Sequence, residues 1–178
     1  MNAFDIAIAF TLKEEGGYVD DPRDSGGATL QGVTQGAYDT WRDIQHLPRR
    51  DVRGMTDAEK LAIYHDNYWL PGRCDRLPVV VAVAHFDWTV NHGVQGAIKT
   101  LQQTLGFTGD DVDGMAGPKT FMAMAEVTDS LAFASAYTER RRQWYRDRVV
   151  AKPDQAAFLP GWLGRCDRLV SYCNGIHI

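Results

Sequence analysis

Residues 11–34, TLKEEGGYVDDPRDSGGATLQGVT, decide how this chain is read. The stretch starts inside an amphipathic helix, breaks at Gly16-Gly17 and runs through a carboxylate-rich loop to a second glycine pair at 26–27. Before the break, Phe4, Ile8 and Leu12 recur at helical spacing, and at about 100° per residue Glu15 joins their stripe while Glu14 does not. A carboxyl group on the apolar face of a helix end loses hydration and is suited to hand over a proton, the task of a general acid. The competing account of Glu15 is a partly exposed helix-end residue, or one paired with an arginine.

The loop supplies the rest of a reaction centre. Asp24 lies nine positions after Glu15, and Thr29 five after that. The flanking glycines allow positive φ and close approach, so the loop can fold back over the helix end. An acid, a second carboxylate and a hydroxyl facing one small space is the set that glycoside hydrolysis requires. Asp20 and Asp21 compete with Asp24, although Asp21 precedes Pro22 and reads as a loop brace. Thr34 competes with Thr29 for the hydroxyl role.

Glu15-Gly16-Gly17-Tyr18, then Asp21-Pro22-Arg23-Asp24-Ser25-Gly26-Gly27-Ala28-Thr29 and Gly32-Val33-Thr34, closely resembles the signature of glycoside hydrolase family 108, the muramidases of phages and bacteria. Tyr64-His65-Asp66-Asn67-Tyr68-Trp69 and Phe86-Asp87-Trp88-Thr89-Val90-Asn91-His92-Gly93 resemble its next two blocks. Leu101-Gln102-Gln103-Thr104-Leu105-Gly106 and Asp113-Gly114-Met115-Ala116-Gly117-Pro118-Lys119-Thr120 resemble the predicted peptidoglycan-binding region that follows. The order of Glu, Asp and Thr also resembles the trio of phage-type lysozymes. That resemblance implies Glu15 as the acid, with Asp24 and Thr29 holding the water that attacks the anomeric carbon.

Composition limits the other readings. A chain of 178 residues, 44% hydrophobic, can bury one good core or two small ones. Its net charge of −4 gives no general attraction to nucleic acid or anionic membrane. No apolar run approaches the roughly 20 residues needed to span a bilayer, and Asp5 stands where a signal peptide would be basic. The expectation is synthesis in the cytoplasm without a signal peptide and action at the periplasmic wall after release, with a holin-like membrane protein as a partner in export. Three cysteines, Cys74, Cys166 and Cys173, lack metal-ligand spacing, and a Cys74–Cys166 bond stays open. Arg-Cys-Asp-Arg-Leu occurs at 73–77 and again at 165–169; five residues are too few for a repeat, and coincidence is the reading.

In order, the chain reads as helical. Thr34 caps a short helix carrying Tyr38 and Trp41. Thr56 with Glu59 forms a capping box for a helix running to Tyr68. Pro71-Gly72 ends it. Val79 to His92 reads as a buried helix, with its valines leaving a strand open. Within it Asp87 and Asn91, four apart, share a face. They stand either on a cleft wall bonding a sugar amide or as a buried polar pair. Gly93 to Gly96 reads as a tight turn, Asp110 to Gly114 as a turn braced by side chains, and Pro118 as a helix start. His85 and His92 show no zinc pattern, the acidic run fails the EF-hand pattern, and neither metal nor cofactor is expected. Tyr18 is the candidate sugar platform, while Trp69, Trp88, Trp144 and Trp162 read as core. The arginine-rich segment from Thr138 to Arg148 reads either as a contact for the carboxylates of stem peptides or, more simply, as a solvated helix face with internal Glu139 and Asp147 pairs.

The expected fold is all-α, a lysozyme-like helical domain with a small β-hairpin or irregular loop after the first helix. Residues 1–93 would form the catalytic region and 94–178 a peptidoglycan-binding region packed on it as one body. The expected activity is hydrolysis of the β-1,4 bond between N-acetylmuramic acid and N-acetylglucosamine by a monomer acting on glycan strands. Tyr18, Thr34, Asp87 and Asn91 would bind substrate. A lytic transglycosylase and a non-catalytic wall-binding secretion module are the alternatives. Phage lysis and bacterial export both remain open.

Overall fold

The computed structural model describes residues 2–15, 18–19 and 29–176, with backbone alone at 18–19. Asp24 and its competitors Asp20 and Asp21 lie outside the described residues, as does the side chain of Tyr18. Eight α-helices are described: α1 (Ala3–Glu14), α2 (Gln35–Ile44), α3 (Asp57–Tyr64), α4 (Val79–His92), α5 (Val94–Thr104), α6 (Pro118–Ala125), α7 (Ser130–Ala151) and α8 (Leu159–Asn174). Between α1 and α2 lie three short strands, β1 (Tyr18–Val19), β2 (Thr29–Leu30) and β3 (Val33–Thr34), antiparallel in that order. The fold is all-α and lysozyme-like, with the small β excursion where the sequence predicts it.

The core sits on α4. Every residue from Val80 to Thr89 is buried, so this helix needs neighbours on all sides, and α1, α5, α7 and α8 supply them. The valines do not turn it into a strand because the magnitudes favour helix. Each costs up to about 0.7 kcal/mol of helix propensity, whereas burying one contributes roughly 1.5–3 kcal/mol. Phe4 on α1 anchors one side, its ring meeting His65, Trp69 and Phe86 edge-on.

Helix ends follow the local chemistry. The Thr34 hydroxyl accepts the Ala37 N–H at 3.2 Å and opens α2. Thr56 and Glu59 close a reciprocal capping box on α3, which continues through one π turn, His65–Trp69. Asp113 Oδ1 accepts from Gln102 Nε2 at 2.7 Å and the Met115 N–H at 2.8 Å, the brace expected of that turn.

Three expectations need correction. The turn after α4 is Gly93 alone, at φ 85°, and α5 starts at Val94, so Gly96 is helical. All three cysteines are free and buried, and no Cys74–Cys166 bond forms. The arginine-rich segment belongs to the 22-residue α7, and Arg141 on it points into the core, fully buried.

Candidate active site

Glu15 is the first residue beyond α1. Its N–H still bonds Thr11 O, but its backbone is extended at ψ 139°, so the helical count that placed it on the apolar stripe does not set its side chain. An arginine does. α8 lies antiparallel along α1, with Tyr172 Oη donating to Ile6 O at 2.9 Å and Arg168 pairing with Glu14 at 2.6 Å. That register delivers Arg165 to Glu15, where Nη2 donates to Oε1 at 2.9 Å. The Glu15 side chain keeps 20% of its surface exposed. The arginine-paired account of Glu15 therefore replaces the unpaired, desolvated one.

Arg165 is itself fixed from below. Its Nη2 donates to Asp87 Oδ1 at 2.6 Å and its Nε to Oδ2 at 3.1 Å, a two-point grip. Arg141 Nη1 reaches Oδ2 at 2.6 Å, and Thr11 Oγ1 donates to Oδ1 at 3.2 Å. Burial opposes ionisation of Asp87, but the two guanidiniums outweigh it and hold its carboxyl below the usual range. Two carboxylates thus balance two guanidiniums along a line from the core to the Glu15 carboxyl.

This corrects the placing of Asp87 on a cleft wall. It is 0% exposed, because α1, α7 and α8 close over it, and no sugar can reach it. Nor does it pair with Asn91. Asn91 is exposed one turn further on, its Oδ1 accepting from Tyr145 Oη at 2.6 Å, at the rim of a cavity shared with His92, Trp144, Arg148 and Trp162. Trp69 and Trp88 are core, whereas Trp144 and Trp162 are only partly buried.

The β-hairpin covers the other side of Glu15. Gln31 and Gly32 connect β2 to β3 with φ 48° and 79°, a two-residue turn with the positive φ pair that matches strand twist. Gly32 lies against the acid: a Cβ there would overlap the Tyr64 hydroxyl and come within 3.1 Å of Glu15 Oε2. Tyr64 Oη donates to Gln31 O at 2.8 Å and ties α3 to the hairpin. Burial first, then the nearby Glu15 carboxylate, raises the phenol pKa of both Tyr64 and Tyr68. Both phenols therefore remain neutral hydrogen-bonding groups. In the hairpin register Thr29 opposes Thr34, so the two candidate hydroxyls share a face of the sheet. Thr34 spends its hydroxyl on the α2 cap.

One carboxylate oxygen held by a cation and the other facing a glycine is an acid with a fixed direction. Residues 8–93 match the family model described as glycosyl hydrolase 108, and residues 96–167 match a predicted peptidoglycan domain. Over residues 8–93 the chain carries a glycosyl hydrolase 108 region. Among solved structures, that of Brucella abortus SagA is similar, with 29% sequence identity and a TM-score of 0.77 over 96% of this chain and 93% of that one. No curated protein sequence matches.

With that hydrolase region and a predicted peptidoglycan domain, the chain is a lysozyme-type glycoside hydrolase acting on peptidoglycan. Sequence reasoning missed Arg165, Tyr64 and Tyr68 around Glu15. The tyrosines had a signal, being four apart on one helix. Arg165 had none, since 150 residues separate it from Glu15.

Proposed function

We propose that this hydrolase is an N-acetylmuramidase, cleaving the β-1,4 bond between N-acetylmuramic acid and N-acetylglucosamine. Glu15 protonates the leaving oxygen, and Asp24 with Thr29 positions the water that attacks the anomeric carbon. Residues 1–93 carry this chemistry, and 94–178 hold the wall and brace the acid through Arg165. The observation that carries the reading is the Glu15 carboxyl, anchored at Oε1 by Arg165 while Oε2 looks toward Gly32 in the hairpin that bears Thr29. A water-assisted single displacement inverts the anomeric centre and requires the two carboxyls to stand roughly 6.5–9.5 Å apart.

Glu15→Gln tests it. Glutamine keeps an oxygen for Arg165 but cannot donate the proton, so turnover on purified peptidoglycan should fall at least about 100-fold. The unfolding transition should stay near that of the parent. Wall digestion at the parental rate would end the assignment. Mass spectrometry of the released fragments should show hydrated reducing ends; 1,6-anhydro ends would replace hydrolysis with transglycosylation.

A further inference from the structure

Between the turn at residues 73–76 and the flank of α6 runs a groove of about 480 Å³, lined by Arg73, Arg76, Gly117, Phe121, Met122 and Ala125. It straddles the two matched regions, with the arginines in the hydrolase segment and the other four residues in the peptidoglycan segment. Glu15 does not line it.

Two guanidiniums flank one aromatic ring here. Nine other described arginines are held by a carboxylate of this chain. Arg73 and Arg76, like Arg140 and Arg148, have no such partner among the described residues. Their guanidinium carbons instead lie 5.6 and 4.7 Å from the centroid of the Phe121 ring, which pre-orders the planar groups and leaves their N–H forks unspent. Asp75, between them in sequence, does not line the groove. Beside the cations, Met122 is 72% exposed and gives an adaptable apolar wall.

The geometry points to a short peptide bearing free carboxylates and small apolar side chains, and we propose that the groove holds the stem peptide of peptidoglycan. Glycan strands offer hydroxyls and acetamides, and their lactyl carboxyls are consumed in the peptide link, so the carboxylates of this polymer sit on its stems. The guanidiniums take those carboxylates in charge-assisted pairs. Phe121, Met122 and Ala125 take the alanine methyls. With a net charge of −4 the chain has no general attraction to an anionic wall, and this local pair supplies one. The proposal rests on peptidoglycan cleavage as described above and adds the feature by which peptide-bearing strands are preferred.

The test compares intact sacculi with glycan strands stripped of their peptides, using the full chain and its Arg73→Ala/Arg76→Ala variant. On intact sacculi the variant should need about ten-fold more substrate for half-maximal rate, since two charge-assisted contacts are lost, with kcat unchanged. On stripped strands the two proteins should behave alike. Equal kinetics on intact sacculi, or an equal loss on both substrates, overturns the groove. A second measurement needs no variant: titration of the wild-type chain with a synthetic stem tetrapeptide should shift the Phe121 ring resonances, and its fully amidated form should not. No shift, or the same shift from the amide, overturns it too. Failure of the wild-type chain to cut either substrate would sink the muramidase reading instead, and the titration would still decide the groove.

Discussion

The pentapeptide Arg-Cys-Asp-Arg-Leu stands at 73–77 and at 165–169, and the two copies do opposite things with their charges. Both bury the cysteine and the leucine. In the second copy, inside α8, Arg165 joins Asp87 to Glu15 and Arg168 pairs with Glu14. In the first, a 3-10 turn, Arg73 and Arg76 lie over Phe121 with no carboxylate partner among the described residues. The backbone causes the split. A helix packed along α1 and α4 presents its arginines to their acids, whereas a turn at the surface presents them to a groove. Identical residues thus become internal structure in one place and an outward-facing feature in the other.

The comparison breaks most visibly at Arg165. Replacing it by methionine leaves Asp87 with one guanidinium and Glu15 with none among the described residues, and losing one partner of a buried pair costs about 3–5 kcal/mol. Denaturant unfolding should show that loss, and turnover should fall with it. A loss below about 1 kcal/mol would mean that the buried line of charge carries no structural load.

Acid should separate the copies next. The first copy is pinned not by ions but by His85, whose ring lies 3.0 Å from Gly72 O and 2.9 Å from Tyr137 Oη. Burial lowers this imidazole from 6.5 to about 4. The unfolded chain takes up the proton near 6.5 and the folded chain only near 4, so stability is full above that window and falls as pH drops through it. The loss is about 3 kcal/mol. Unfolding curves at successive pH values should show this slope, and His85→Gln should flatten it.

The smallest effect is expected where the first copy faces outward. Arg73→Met and Arg76→Met should each change stability by less than about 0.5 kcal/mol, as exposed residues without ionic partners do. A melting shift matching that of Arg165→Met would erase the distinction between the copies.

What the sequence disclosed divides along the same line. Caps, turns and helix starts were legible because their partners lie within four residues: Thr34 with Ala37, Thr56 with Glu59, Asp113 with Met115. The buried helix Val79–His92 was legible because its apolar content exceeds what one face needs. The environment of Glu15 was not. Its stripe position came from a helical count, yet the helix stops one residue earlier, and the cation that orients it arrives from α8. Asp87 and Asn91 share a spacing but not a fate, since one meets α1, α7 and α8 and the other meets solvent. Spacing on a helix says which residues are neighbours and nothing of which elements will cover them.

The tie from Glu15 to Arg165 also bears on the order in which the molecule comes into being. On the ribosome Glu15 is made 150 residues before the cation that steadies it. A polypeptide halted before α8 would carry every residue of the loop after α1 and still lack an oriented acid. On the proposed mechanism, competence to cut waits for α8 to be made and docked.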